Sequence, residues 1–248
     1  GEKPPVLLDW ESLTSELLTS VDSKSSELVT LVTAIKKHAP EDAIILSWWD
    51  TSRQIGLLTG RDTLFPSHHG EPVIIPSHWR ERSDAIRNYE EEFWGAPAPA
   101  EERRKLQRFA DALVADVEKG SGILRELAGS REAYVVLHVS DLYKLGLMRP
   151  ESLDLAYKDF PMNSANMHGL VNTVKRFKVE NNYTTYTLQS LGDRAVRGYF
   201  LSDGQDTLLA QMLPFTETRP LELTKIQLIY QHGGYWVYKI PPVAPPAG

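Results

Sequence analysis

Two groups of side chains in this sequence could do chemistry. The first is Trp48-Trp49-Asp50 with Arg53, set against Asp141 and Lys144 far along the chain. Each half follows an apolar run, Ala43 to Leu46 before the tryptophans and Ala133 to Val139 before Asp141. A strand that empties into ring surface and a carboxylate presents both at its C-terminal end, where open α/β sheets place their sites. If the two strands lie side by side, Asp50, Arg53, Asp141 and Lys144 form a charged cluster beside Trp48 or Trp49. Such a cluster is a pocket for a polar ligand or for a partner's side chain. The plainer alternative is core packing for the tryptophans, helix N-caps from Asp50 or Ser52 and from Ser140 or Asp141, and a surface ion pair. That pair would contribute at most about 1 kcal/mol. Consecutive residues at a strand end face opposite ways, so one tryptophan can be core while the other lines a crevice. No Gly-x-Ser-x-Gly elbow supports a hydrolase, and no glycine-rich phosphate loop of the Walker or dinucleotide kind occurs.

The second group is the segment 66–80, Pro-Ser-His-His-Gly-Glu-Pro-Val-Ile-Ile-Pro-Ser-His-Trp-Arg, which holds three prolines. His68, His69 and His78, with Glu71, could supply ligands to copper or zinc from one stiffened loop. Imidazoles would have to converge to about 2.0–2.1 Å from the metal. Adjacent histidines rarely share one ion, and two Pro-Ser-His units ten residues apart match no standard ligand spacing. The competing reading is a solvent-facing loop.

Composition narrows the classes. A chain of 248 residues can bury a substantial core. With a formal charge of −6 there is no reason to expect nucleic acid, and a net acidic surface would steer the protein toward a basic partner. The absence of cysteine removes disulfides, thiolate catalysis, iron–sulfur ligation and haem attachment through Cys-x-x-Cys-His. No apolar run is long enough to span a bilayer. Gly1 resembles a tag remnant, so a membrane segment is expected only outside this sequence.

The elements that must position these groups follow from periodicity and punctuation. Residues 1–9 read as a linker, 10–240 as a single α/β domain and 241–248 as a Pro-rich tail. Apolar spacing predicts helix over 10–38, with the polar stretch 20–26 as a break. A short strand is predicted near 61–65 and a helix over 84–94. Residues 101–127 form one long helix or two, with Gly120-Ser-Gly122 as the break. A short helix over 142–148 follows the buried strand 133–139. Residues 151–182 read as irregular. Strands are predicted over 183–189, 195–201, 221–230 and 235–240, and a short helix over 205–212. The turn His232-Gly233-Gly234 marks a hairpin. The expected fold is a central mixed sheet flanked by helices, with antiparallel strands and that hairpin at its C-terminal edge.

Two resemblances rest on these residues. Pro40-x-Asp42-Ala43-x-x-x-Ser47-Trp48-Trp49-Asp50, then Ile55, Thr59-Gly60-Arg61 and Thr63-Leu64, resembles the soluble domain of the oligosaccharyltransferase catalytic subunit. Asp141-x-x-Lys144-x-x-x-Met148 fits that family's second pattern, and Gly233-Gly-Tyr-Trp-Val-Tyr-Lys239 is similar to its terminal strand. Thr51-Ser52 replaces the family's Tyr-Gly, and the membrane domain that carries the metal-binding acids and lipid-linked sugar has no counterpart here. That likeness implies a peptide or small polar ligand pocket lined by Trp48, Trp49, Asp50, Asp141 and Lys144, without glycosyl transfer. The fuller run from Trp48 to Thr63, including Thr51-Ser-Arg-Gln54, is closer to the HaoB-type proteins. These are encoded beside hydroxylamine oxidoreductase in ammonia- and methane-oxidising bacteria. This second likeness implies a non-catalytic accessory domain, periplasmic and anchored to the inner membrane. It would work by contact with hydroxylamine oxidoreductase or its electron-transfer cytochromes.

Overall fold

Ile44 to Ser47 is a strand because a short β-branched run sits between a proline-stopped helix and two bulky rings. In the computed structural model this is β1 (Ile44–Ser47), preceded by a helix described over 27–38 (α1). The structure describes residues 27–67, 98–162, 167–192, 194–215 and 226–242, with 81, 82, 84, 85, 88 and 92. The linker 1–9, residues 10–26, the histidines His68, His69 and His78, and the tail from 243 lie outside the described residues.

α2 (Trp49–Thr59) follows β1 at once and ends on Gly60 in the left-handed conformation, leading to β2 (Asp62–Thr63). α3 (Ala100–Val114), α4 (Val117–Ala128) and β3 (Ala133–His138) come next. They are followed by α5 (Asp141–Met148), β4 (Leu155–Pro161), α6 (Met167–Glu180), β5 (Thr185–Leu191) and β6 (Ala195–Leu201). α7 (Leu208–Met212), β7 (Gln227–His232) and β8 (Tyr235–Ile240) complete the order.

The main sheet has the order β2-β1-β3-β8-β7. β1 pairs in parallel with both β2 and β3, and the β7–β8 hairpin closes antiparallel on β3. This is the expected mixed sheet with its antiparallel C-terminal edge. Alternation along β1 and β3 splits the core. Leu46, Val135 and Leu137 face the larger cluster with Phe109, Leu113 and Leu124, while Ile45, Tyr134 and Val136 face Leu31, Ile35 and Ile55. Both faces are covered, so β1 and β3 are apolar almost throughout.

Two expectations are corrected. The break in 101–127 falls at residues 115–116, where Asp116 caps α4 by accepting the Lys119 N–H at 2.9 Å. Gly120 lies inside α4 instead. A Cβ there would sit 2.8 Å from Leu208 Cδ2 and even closer to the Ala112 carbonyl oxygen, so this glycine serves the close approach of helices. Gly120→Ala is therefore expected to cost about 1–3 kcal/mol in urea unfolding. Gly122→Ala, with nothing within 4 Å, is expected to be neutral or stabilising by up to about 1 kcal/mol. Equal effects of the two substitutions would refute this account of Gly120.

The stretch 151–182 is not irregular. It holds β4 and α6, and β4 joins a second, separate antiparallel sheet of order β4-β6-β5. Its asparagines hid an apolar stripe, Leu170, Val174 and Phe177, at helical spacing. That stripe packs on Phe160, Tyr186 and Phe200 of the second sheet. The strand predicted over 221–230 is described from Gln227, and residues 216–225 lie outside the described residues.

A charged cluster at the end of the parallel strands

β1 and β3 are parallel neighbours in register from Ile44↔Ala133 to Ser47↔Val136, so their C-terminal ends open on one side of the sheet. The helices that follow, α2 and α5, bring their first turns together there. Lys144 Nζ lies 2.5 Å from Asp50 Oδ2 and 3.4 Å from Asp141 Oδ1. It also stands 5.8 Å from the centre of the Trp48 ring. Residues 94 positions apart are thus joined through one ammonium.

The three charges differ in burial. Asp141's side chain is 3% exposed, Lys144's 25% and Asp50's 42%. Burial pushes the Asp141 carboxyl up, with Lys144 working against it; the neighbouring Asp50 charge also pushes it up, and the His138 N–H it accepts at 2.8 Å works against it. Burial disfavours the Lys144 ammonium, but Asp141 and Asp50 outweigh it and hold this group above the ordinary lysine value. The more exposed Asp50 turns its other oxygen to the Thr51 N–H at 2.8 Å. Its accessible edge could still accept a hydrogen bond from a hydroxyl or amide of something outside the chain.

The tryptophans divide as the strand geometry implies. Trp48 is buried at 4% exposure against Phe109, ring centres 6.5 Å apart, whereas Trp49 is half-buried at the margin of the same core. Arg53 lies on the exposed side of α2 and takes part in none of the cluster's ion pairs or hydrogen bonds. Of the six proposed residues, the structure brings together Trp48, Asp50, Asp141 and Lys144, with Trp49 beside them.

The expected N-caps are corrected too. Burying Trp48 at the end of β1 makes it the N-cap residue of α2, without a side-chain cap bond. Asp50 then falls in the first turn, where a carboxylate still suits the helix dipole. Ser52 Oγ is 2.7 Å from Ser47 Oγ, inside the fold. Ser140 holds the N-cap position of α5, but its hydroxyl lies 2.6 Å from His138 Nδ1 instead of capping.

Sequence reasoning missed two groups at this end of the sheet. His138, the last residue of β3, packs its ring 4.6 Å from that of Tyr235 at the start of β8. Burial pushes the Tyr235 hydroxyl up, and the nearby Asp141, Asp50 and Glu27 carboxylates add to this. Gly234 leaves room for the His138 ring, since a Cβ there would overlap its Nε2. The Gly-Gly turn was visible in the sequence, but which side chain it accommodates was not. Among the described residues, no group of three or more His, Asp or Glu side chains is placed to hold a metal ion. Among them, no helix is long and apolar enough to cross a membrane.

No curated protein matches the chain. Among solved structures it is similar to the C-terminal domain of C. jejuni PglB. That likeness has a TM-score of 0.48 at 10% identity and covers 85% of this chain and 98% of that one. The family model described as HaoA-associated protein HaoB matches residues 1–240. By a match that runs from the first residue through β8, the chain belongs to the family of HaoA-associated HaoB proteins.

Proposed function

We propose that this chain is a non-catalytic accessory domain of hydroxylamine oxidation that works by direct contact with HaoA, the hydroxylamine oxidoreductase, or with its electron-transfer cytochromes. In this reading it is periplasmic and held at the inner membrane by a segment outside the sequence. The observation that carries the reading is the family match over residues 1–240. The charged cluster is in keeping with it. Lys144 is engaged by two carboxylates, and the cluster presents the edge of Asp50 and the margin of Trp49 as recognition surface.

The test is sedimentation of the chain with purified HaoA at about 0.02 M and about 0.3 M salt, where screening lengths differ several-fold. A complex at low salt that weakens at high salt is expected. No complex at low salt would overturn the contact, and hydroxylamine turnover by the chain alone would overturn its non-catalytic character.

A further inference from the structure

The chain carries a net charge of −6, yet its charge is unevenly spread. Lys175, Arg176 and Lys178 stand on α6 against one acid, Glu180. Lys158 of β4 lies alongside, its ammonium 4.3 Å from the centre of the Phe177 ring. The inward side of α6, Leu170, Val174 and Phe177, is committed to the second sheet. Helical spacing turns Lys175, Arg176 and Val179 the other way, and all three are exposed, Val179 to 71%.

Ordinary helix stabilisation accounts for only part of this. Lys178 is in the last turn, where a cation suits the helix dipole. Lys175 and Arg176 precede that turn, and neither has an ion-pair partner among the described residues. An exposed valine flanked by two cations that have no ion-pair partner among the described residues has the layout of a small interface, apolar at the centre and charged at the rim. The net charge does not oppose an acidic partner here. Screening at physiological salt acts over about 8 Å, so a docked partner meets the local charge of α6 before the sum over the chain. A bilayer is a poorer fit, because the apolar side of α6 is already buried and one valine cannot anchor a helix in the interface.

We propose that the outer face of α6 docks an acidic surface of the partner protein, with Lys175 and Arg176 pairing its carboxylates around Val179. This rests on the contact with HaoA proposed above, and it adds to the Asp50 and Trp49 edge a second face of that contact, with its chemistry. The local sign of this face is opposite to the net charge of −6, from which a basic partner surface is expected.

The experiment compares HaoA binding by the unaltered chain, by K175E/R176E and by R103E/R104E. The last makes the same change in net charge on exposed positions of α3. Circular dichroism checks that both variants fold. K175E/R176E is expected to bind about tenfold or more weakly, and R103E/R104E within about twofold of the unaltered chain. Undiminished binding by K175E/R176E would overturn the assignment of the face and leave the contact with HaoA standing. Equal losses in both variants would trace the effect to net charge and overturn it as well. If K175E/R176E lost binding only to phosphatidylserine vesicles, the face would belong to a membrane and the protein partner would be wrong. No binding by the unaltered chain would overturn the contact itself, and this inference with it.

Discussion

Replacing Lys144 with methionine is expected to lower folding stability at pH 7 by about 3 kcal/mol. The reason is what remains behind. Asp141's side chain is 3% exposed, and without the ammonium it keeps only the His138 N–H as a charged-state partner. Asp50 loses less, because its carboxylate still reaches water and the Thr51 N–H. The double variant Asp141→Asn/Lys144→Met removes both buried charges and keeps an oxygen for the His138 N–H. It is expected to lie within about 1 kcal/mol of the natural chain, since a buried pair replaced as a unit is often neutral. Urea unfolding of the two single variants and the double measures the coupling directly. A Lys144→Met cost below about 1 kcal/mol would mean that the pair behaves as a solvated surface bridge.

Raising the pH past about 10 is expected to unfold the protein over a narrow range. Burial pushes up the hydroxyls of Tyr134, Tyr199, Tyr235 and Tyr238, Tyr199 to about 12, and the two carboxylates hold Lys144 above its ordinary value. The sign is the same for all five. Each folded-state value lies above the unfolded one, so each contribution is complete below about pH 10 and is lost as the pH climbs through the folded value. Between those limits the unfolded chain has released protons that the folded chain retains, and stability falls with pH. A hydroxyl near 12 rather than about 10 corresponds to about 2–3 kcal/mol lost by pH 12, from Tyr199 alone. Unfolding midpoints between pH 8 and 12, followed together with tyrosinate absorbance, test this. Of the ten tyrosines, these four should form tyrosinate only as the fold is lost, so the last part of the absorbance rise should coincide with unfolding, and Tyr199→Phe should flatten the slope. Tyrosinate formation by all ten tyrosines near pH 10 with an intact fold would refute the burial of these hydroxyls.

The four raised tyrosines show how the sequence could be misread. Tyr235 and Tyr238 stood in the sequence only as members of the predicted terminal strand 235–240. Their hydroxyls matter because β8 lies antiparallel on β3, which sets Tyr235 opposite His138 and sends the Tyr238 hydroxyl to the Met212 carbonyl. Arg53 shows the reverse error. It sits beside Trp-Trp-Asp in the chain, but in a helix starting at Trp49 it turns to solvent while Ser52 and Ile55 turn inward. Adjacency in sequence is a poor guide once the helix begins, because each residue rotates about 100° from the last.

By itself the sequence determined what depends on near neighbours. The apolar runs specified β1 and β3, and the Gly-Gly turn specified the β7–β8 hairpin. It also carried the family, because that signal lies in the residue types of one long run. Only the tertiary structure decided that Lys144 would reach Asp50 across 94 residues, that β4, β5 and β6 would form a sheet of their own, and that α6 would exist within an asparagine-rich stretch. Strand order, the facing of a helix and the burial of a charge are set by which surfaces exclude water together. No window of neighbouring residues contains that information.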